Sequence, residues 1–155
     1  MFRFAGTAPV VFSVVLICSP ALADSLPKTA TPMSSQAVQK IYSGNSAIWK
    51  DSDVYFAPDG SLKGIFGKPT IKALMVGTWS VNGNEICIYT FRTKEPNSFR
   101  DCYQYWSEGR RVIALRSIRS DGSAVDQSNG YHVGEEGNLK PGDLVSARYM
   151  AAPAM

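Results

Sequence analysis

A run of alternating apolar and polar residues from Gly77 to Trp106 limits the folds open to this chain more than any other feature. Two segments typical of β-strands flank Asn82-Gly83, and a third begins at Arg100. Asn-Gly between apolar runs is a strong hairpin signal, because a type I′ turn needs a positive φ at both central positions. The sequence therefore predicts three successive antiparallel strands in the middle of the chain.

The turns also predict how these strands pair. A two-residue turn at Asn82-Gly83 would place Trp79 opposite Ile86, and a second turn at Glu108-Gly109 would add a fourth strand. With the two cysteines of the central strands opposite each other, one face becomes apolar. Its members are Trp79, Val81, Ile86, Ile88, Tyr103, Tyr105, Val112 and Ala114. A slip of one residue would turn a strand's side chains over and destroy this agreement.

The opposite face of the predicted sheet is not cleanly polar. It carries Cys87, Cys102, Tyr89, Phe91, Trp106, Ile113 and Leu115. A sheet with apolar groups on both faces is covered on both sides or curls on itself. We therefore expect a mainly β fold, an antiparallel meander sheet that is curled or barrel-like, with one short N-terminal helix.

Residues 1–23 have the pattern of a secretory signal peptide. Arg3 supplies the positive start, an apolar run extends from Pro9 to Cys18, and Ala21-Leu22-Ala23 forms a small-x-small cleavage site. The apolar run is about half of the roughly 20 residues that a membrane-spanning helix needs. We expect cleavage before Asp24, a periplasmic or secreted protein, and no transmembrane segment in the mature chain.

Export would leave Cys87 and Cys102 as the only cysteines, in an oxidising compartment. Opposed positions on neighbouring antiparallel strands bring Cα atoms to roughly 4.5–5.5 Å, which a disulfide can span. Closing a loop of about 15 residues contributes roughly 3 kcal/mol in the chain-entropy model. The pair lacks the Cys-x-x-Cys spacing that lowers a thiol pKa, so a structural bridge is favoured over a redox-active pair.

The mature chain divides into a lead, one domain and a tail. Residues 24–33 contain two prolines and are typical of a flexible lead, residues 34–150 form a single β-rich domain, and residues 151–155 form a disordered tail. Ser34 is the predicted N-cap of the short helix, which Gly44-Asn45 ends.

Shorter strands are expected on both sides of the central unit. We predict one strand over Ala47–Ala57, a turn at Pro58-Asp59-Gly60-Ser61, and a return strand over Leu62–Phe66. Further short strands are predicted over 125–133 and 144–150.

The order of these motifs resembles that of a known family. The motifs are Gly44-Asn45, Ala57-Pro58-Asp59-Gly60, Gly77-Thr78-Trp79, Cys87 and Cys102-Tyr103, within residues 34–121. In this order, and after an export signal, they resemble a family of small exported bacterial proteins catalogued as a domain of unknown function, DUF 995. The resemblance implies a compartment and a fold, and no reaction. The Gly-x-Trp motif is also similar to that of the lipocalins, in which it opens the first barrel strand instead of lying mid-chain.

Net charge argues against a nucleic-acid partner. Without Arg3 the chain has 15 basic and 13 acidic residues, a net charge of +2. Its densest basic region, Arg110-Arg111 with Arg116 and Arg119, has no accompanying nucleic-acid-binding motif. A charged strand edge that discourages aggregation explains this region better.

Chemistry-bearing residues are few. His132 is the only histidine, and no nucleophile-elbow motif accompanies it. Asp51 and Asp53 would share a face of an extended segment, but two carboxylates without further oxygen ligands are a weak calcium signal. We therefore expect no catalytic residues, no metal and no cofactor. Three acidic residues could still converge in the fold: Asp59, Asp121 and Glu135.

Two hypotheses from different classes remain. The first is a non-enzymatic binding or envelope-interaction module, whose partner is a small apolar ligand or an envelope component. Its candidate binding residues are Trp49, Tyr55, Trp79, Tyr89 and Trp106. The second is a small hydrolase with acidic residues in a cleft. A concave apolar pocket favours the first hypothesis, and paired carboxylates in a pocket favour the second.

Overall fold

A computed structural model describes residues 26–119, 121–124, 132–133 and 135–152. The predicted signal peptide, its cleavage site and Cys18 lie outside these ranges, as do most of 125–133 and the last three residues. The described residues form ten strands and two α-helices. In chain order these elements are β1 (Thr31–Pro32), α1 (Ser35–Tyr42), β2 (Asn45–Ile48), β3 (Ser52–Phe56), β4 (Ser61–Phe66), β5 (Ala73–Asn82), β6 (Glu85–Arg92), β7 (Ser98–Glu108), β8 (Arg111–Ile118), β9 (His132–Val133), β10 (Leu139–Pro141) and α2 (Ser146–Ala151). A 3₁₀ turn, Glu135–Asn138, precedes β10.

The strands form one antiparallel sheet in the order β10-β2-β3-β4-β5-β6-β7-β8-β9, and β1 pairs with β7 beyond the end of β6. From β2 to β8 each strand pairs with its successor in the chain, which is the predicted meander. The sheet curls into a half-barrel with α1 packed against its concave face. The predicted fold class is therefore confirmed.

The hairpin between β5 and β6 differs from its predicted register. The turn is Gly83-Asn84 instead of Asn82-Gly83, and its glycine has φ 59°. A glycine with positive φ at the first central position is typical of a type II′ turn. Trp79 consequently lies opposite Ile88 instead of Ile86. Each residue is therefore paired two positions further along the partner strand than predicted. Because side chains alternate with a period of two, every side chain keeps its predicted face.

The hairpin between β7 and β8 differs in the same way. The predicted turn would have paired Tyr105 with Val112, whereas the observed turn, Gly109-Arg110, pairs it with Ala114. The glycine again has a positive φ, 59°. A bulge next to Cys102 shifts the register further along the strands. The predicted apolar face is nevertheless formed, because the shift at the turn moves each pairing by two residues and leaves the side chains on the same face.

The disulfide between Cys87 and Cys102 is confirmed. The two residues are register partners on β6 and β7, with Cα atoms 4.2 Å apart. Trp79 lies on the opposite face, as predicted, because its partner Ile88 is the neighbour of Cys87 along the strand.

Helix α1 has the predicted ends. Ser34 is the N-cap, and its Oγ accepts a hydrogen bond of 3.2 Å from the backbone N–H of Ala37. At the other end Gly44 has φ 76°, and the side-chain amide of Asn45 donates to the carbonyl of Ile41. This local chemistry fixes a short helix whose fully buried Val38 faces the sheet.

The segment predicted as one strand over Ala47–Ala57 is a hairpin of β2 and β3. Its connection, Trp49-Lys50-Asp51, contains no glycine or proline and so gave no turn signal. The chain turns there with a hydrogen bond from the Trp49 N–H to the Ser52 carbonyl.

The prediction of a strand over 144–150 is wrong, since residues 146–151 form α2. Asp143 accepts hydrogen bonds from the N–H groups of Val145 and Ser146, and the helix contains the good helix formers alanine, arginine and methionine. The segment lies against the convex side of β2 to β4, where Val145 is fully buried. A short apolar segment of this kind cannot be assigned to helix or strand from its alternation alone.

Gly77 occupies a tight point in the curl of β5. A Cβ atom placed on it would lie 1.8 Å from the carbonyl oxygen of Tyr89 on β6. A glycine inside a strand commonly marks such a close backbone approach. The conformation of the sheet between Met75 and Trp79 thus requires a residue without a side chain at position 77.

Candidate functional site

One half of the concave face is filled by α1, and the other half is an open cleft. In the filled half, Tyr42 of α1 makes edge contacts with Phe56 and Tyr105, and its hydroxyl is hydrogen-bonded to that of Tyr105. The open cleft has a volume of about 220 Å³. Its lining residues are Trp49, Ser52, Val54, Met75, Ile88, Thr90, Arg92, Asp101 and Tyr103. We take this cleft as the candidate site.

The cleft is built by strand alternation. Val54, Met75 and Ile88 belong to the same buried cluster as the helix-covered core and supply an apolar floor. Further along β6, the inward-facing positions change from apolar Ile88 to Thr90 and then Arg92. Backbone bonds tie the chain before α1 to Tyr105 and the chain after it to Phe56, so the helix crosses the sheet at the other end and the polar residues border an opening.

Arg92 is held by aromatic rings. Its Cζ atom lies 4.2 Å from the ring centroid of Phe66 and 4.3 Å from that of Phe99. One guanidinium nitrogen makes a long contact of 3.4 Å with the carboxylate of Glu95. Its Nε is buried and has no hydrogen-bond partner within the described ranges. The guanidinium is thus positioned mainly by stacking.

Asp101 is the one carboxylate among the cleft-lining residues. It pairs with Arg116 from β8. Burial, followed by the nearby charge of Arg119, lowers the pKa of the Arg116 guanidinium. Arginine nevertheless stays protonated at neutral pH, so the charge of Asp101 is neutralised inside the protein.

The five aromatic residues predicted for binding are not brought together. Trp49 lines the cleft, whereas Trp79 is buried in the core and its indole N–H donates to the carbonyl of Ala57. The remaining three, Tyr55, Tyr89 and Trp106, lie on the convex face. Tyr89 is 38% exposed there, beneath the guanidinium of Arg100 at 5.2 Å.

The acidic residues considered for a hydrolase serve turns. Asp59 accepts hydrogen bonds from the hydroxyl and N–H of Ser61, and Asp121 accepts the same pair from Ser123. These bonds, the hydroxyl bond first, lower the pKa of both carboxyls. A lowered pKa suits a fixed carboxylate and disfavours a general acid at neutral pH. The side chains of Glu135 and His132 lie outside the described part of the chain.

Asp53 has a structural role that the calcium hypothesis did not include. Its buried carboxylate accepts hydrogen bonds of 2.7 Å from Lys68 and 2.6 Å from Arg148 of α2. Two cations already satisfy this carboxylate, and Asp51 is exposed nearby. The arrangement anchors α2 to the sheet, because a buried carboxylate requires such partners.

In the part of the chain that the structure describes, a single group of three candidate metal ligands occurs: Glu85, Cys87 and Cys102, whose ligand atoms lie within 4.8 Å of one another. Both sulfur atoms belong to the disulfide, so neither is a thiolate ligand. The Glu85 carboxylate accepts a hydrogen bond of 2.5 Å from the hydroxyl of Ser117. This group is therefore a structural contact on the convex face.

Sequence reasoning missed Arg92, Thr90 and Asp101 as site residues. A signal was present on β6, where every second residue faces inward. These residues are Ile86, Ile88, Thr90 and Arg92, so the inward face changes from apolar to polar along the strand. What could not be read was that α1 would cover only the apolar part of that row. Aromatic residues alone were too common to mark the site.

Neither helix within the described ranges has the length and hydropathy needed to cross a membrane.

Comparison with known proteins places the chain in a family. Residues 10–124 match the family model described as "Protein of unknown function (DUF995)". The chain belongs to the DUF995 family. No curated protein and no solved structure gives a match. The match to DUF995 ends after β8, so it includes every strand that lines the open cleft.

Proposed function

We propose that this DUF995 protein is an exported, periplasmic module that binds a small ligand in the open cleft and carries out no reaction on it. The observation that carries the proposal is the composition of the cleft: an apolar floor, two aromatic side chains, Trp49 and Tyr103, and a single carboxylate already paired with an arginine. Ligand sites are typically concave, mostly apolar and furnished with a few polar groups. General acid–base hydrolysis commonly uses two carboxylate or histidine groups with divided roles, and the described lining contains one carboxylate and no histidine.

The size of the cleft restricts the ligand. Its volume of about 220 Å³ is below the roughly 300–1,000 Å³ of sites for drug-sized ligands. The occupant is therefore a small molecule or the end of a longer one. An apolar group would bury its surface against Val54, Met75 and Ile88.

The binding proposal is tested with a fragment library and the mature protein. We expect a subset of fragments to raise the melting temperature, since any ligand that prefers the folded state stabilises it. The variant Ser52→Phe, which places a ring in the cleft, should lose these shifts. The matched variant Ser80→Phe, on the exposed convex side of β5, should keep them. Equal responses from both variants would place binding elsewhere, and no response from the wild type would reject the proposal.

The export proposal rests on the N-terminal sequence, with its positive start, apolar run and Ala21-Leu22-Ala23 site. Mass spectrometry of the protein from its native host should find an N-terminus at Asp24. Intact Met1 in the mature pool would contradict export with cleavage. A lipid on Cys18 would instead indicate a membrane-anchored form.

A further inference from the structure

We infer that the ligand of the open cleft carries a carboxylate, which Arg92 binds at the mouth while a compact apolar body occupies the floor. This inference rests on the proposed binding function and adds the chemical class of the ligand.

The charges lining the cleft favour an anion. Arg92 and Asp101 are the charged residues among the lining side chains of the described chain. Asp101 is paired with Arg116, whereas the contact of Arg92 with Glu95 is long, 3.4 Å, and the Glu95 side chain is 36% exposed. Exposed ion pairs of this kind contribute little. The positive charge of Arg92 is therefore the least compensated charge at the cleft.

The surroundings of Arg92 suit a planar anion. The rings of Phe66 and Phe99 pack on its guanidinium, so its remaining capacity for hydrogen bonding lies along its N–H edges. Stacking also fixes the plane of the group before a ligand arrives, which reduces the entropy lost on binding. A carboxylate matches the guanidinium fork with two parallel hydrogen bonds.

The rest of the cleft distinguishes a carboxylate from other anions. Because Asp101 and Arg116 compensate each other, Arg92 leaves a single positive charge, which balances a monoanion and leaves a dianion such as a phosphate monoester with excess negative charge. Trp49, Met75 and Ile88 line the same cleft and favour an apolar or aromatic body. The cleft thus fits a monoanion attached to a small hydrophobic group.

The experiment compares three probes that share one apolar body: hydrocinnamate, hydrocinnamide and phenylpropylamine. Calorimetric titration of the mature protein should give the tightest binding for the carboxylate, by about tenfold or more over the amide, as expected for charge-assisted hydrogen bonds. The amine should bind weakest. A carboxylate that binds no better than the amide would overturn the inference and leave the binding proposal intact.

Variants of Arg92 locate the effect. Arg92→Gln should remove the preference for the carboxylate and leave the affinity for the amide within about twofold, and Arg92→Lys should restore part of it. The matched control is Arg100→Gln, because Arg100 also lies over an aromatic ring, Tyr89, but on the convex face. Retained preference in Arg92→Gln, or loss of it in Arg100→Gln, would overturn the inference.

Two further measurements keep the inference testable. If Arg92→Gln does not fold, the guanidinium resonances of Arg92 in the wild type should shift on adding hydrocinnamate, and unchanged resonances would overturn it. If none of the three probes binds, the fragment hits decide. Carboxylates should dominate them, and a set without that enrichment overturns the inference. A library without any hit rejects the proposed function as well.

Discussion

The two halves of the concave face are made by the same strands and differ in what meets them. The filled half meets α1 and closes around Tyr42, Phe56 and Tyr105, while the open half meets solvent and ends in Thr90 and Arg92. Each strand thus contributes to a core at one end and to a cleft at the other. The difference shows that a cleft can be made by a helix that crosses only one end of a curled sheet, without any long loop.

The largest expected loss of stability comes from replacing the tryptophan of the filled half, and the comparison is with the tryptophan of the open half. Trp79→Ala should destabilise the domain by about 3–5 kcal/mol, the usual cost of removing a buried tryptophan, because Trp79 is only 5% exposed. Trp49→Ala should cost about 1 kcal/mol, as for most partly exposed positions, and should weaken ligand binding. Urea denaturation measures both. Similar losses for the two variants would mean that the open half is ordinary core.

Removal of the disulfide should affect both halves together. Cys87→Ser and Cys102→Ser should each cost about 2–5 kcal/mol, and the double variant should be no worse than either, because all three lose the same bond. The bridge joins β6 and β7, which continue through both halves. Hydrogen exchange should show loss of protection at Ile86 and at Thr90 alike. Two free thiols in the folded wild-type protein would contradict the bridge.

Gly77 lies between the halves, and its substitution probes the curl that joins them. Gly77→Ala should destabilise the domain by about 1–3 kcal/mol or more, the range for overpacking, since the new Cβ would collide with the Tyr89 carbonyl. The control is Gly137→Ala, where the added atom meets no neighbour within 4 Å. Equal melting temperatures for the two variants would show that the sheet relaxes freely at Gly77.

The smallest effect concerns pH and lies outside both halves, at α2. Partial burial raises the pKa of the Asp143 carboxyl, but hydrogen bonds from Ser146 and Val145 lower it by more, so the net pKa is below its usual range. A carboxyl whose pKa is lowered in the folded state stabilises the protein at pH values above its unfolded pKa of about 3.9. This contribution disappears as the pH falls through the folded-state pKa.

Asp143→Asn should therefore flatten the acid dependence slightly, by less than about 1 kcal/mol for so exposed a group. The asparagine side-chain oxygen can accept from the same N–H groups of Val145 and Ser146, so stability at neutral pH should change little. Thermal melts between neutral pH and the acid limit of folding test this. An unchanged acid slope would show that other carboxylates dominate it.

The sequence sufficed for the strands whose alternation and turns agreed. The central strands, the bridge and the face of Trp79 were predicted correctly, although both turns have glycine at the first central position instead of the second. Because that error shifts each pairing by two residues, it changed the partners and left every side chain on its predicted face. Helix α1 was predicted from Ser34 and Gly44, which act locally.

The rest depends on contacts between distant segments. The structural role of Asp53 depends on its ion pair with Arg148, which is far away in the chain. Helix α2 is too short to be assigned from its own residues. The cleft likewise results from where α1 crosses the sheet, which sets the boundary between covered and open residues on β6. No local pattern encodes such a boundary, so the sequence marks Arg92 as part of a strand and not as part of a site.

The pairing of β10 with β2 has a consequence for a chain that is synthesised from its N-terminus. Leu139 lies opposite Ala47, so the strand that covers one margin of the first hairpin emerges only after β3 to β9 have been made. Until then β2 presents unpaired N–H and C=O groups, which invite association with another chain. Long-range pairings of this kind also form slowly. Protection of β2 against aggregation is thus deferred until β10 has been made.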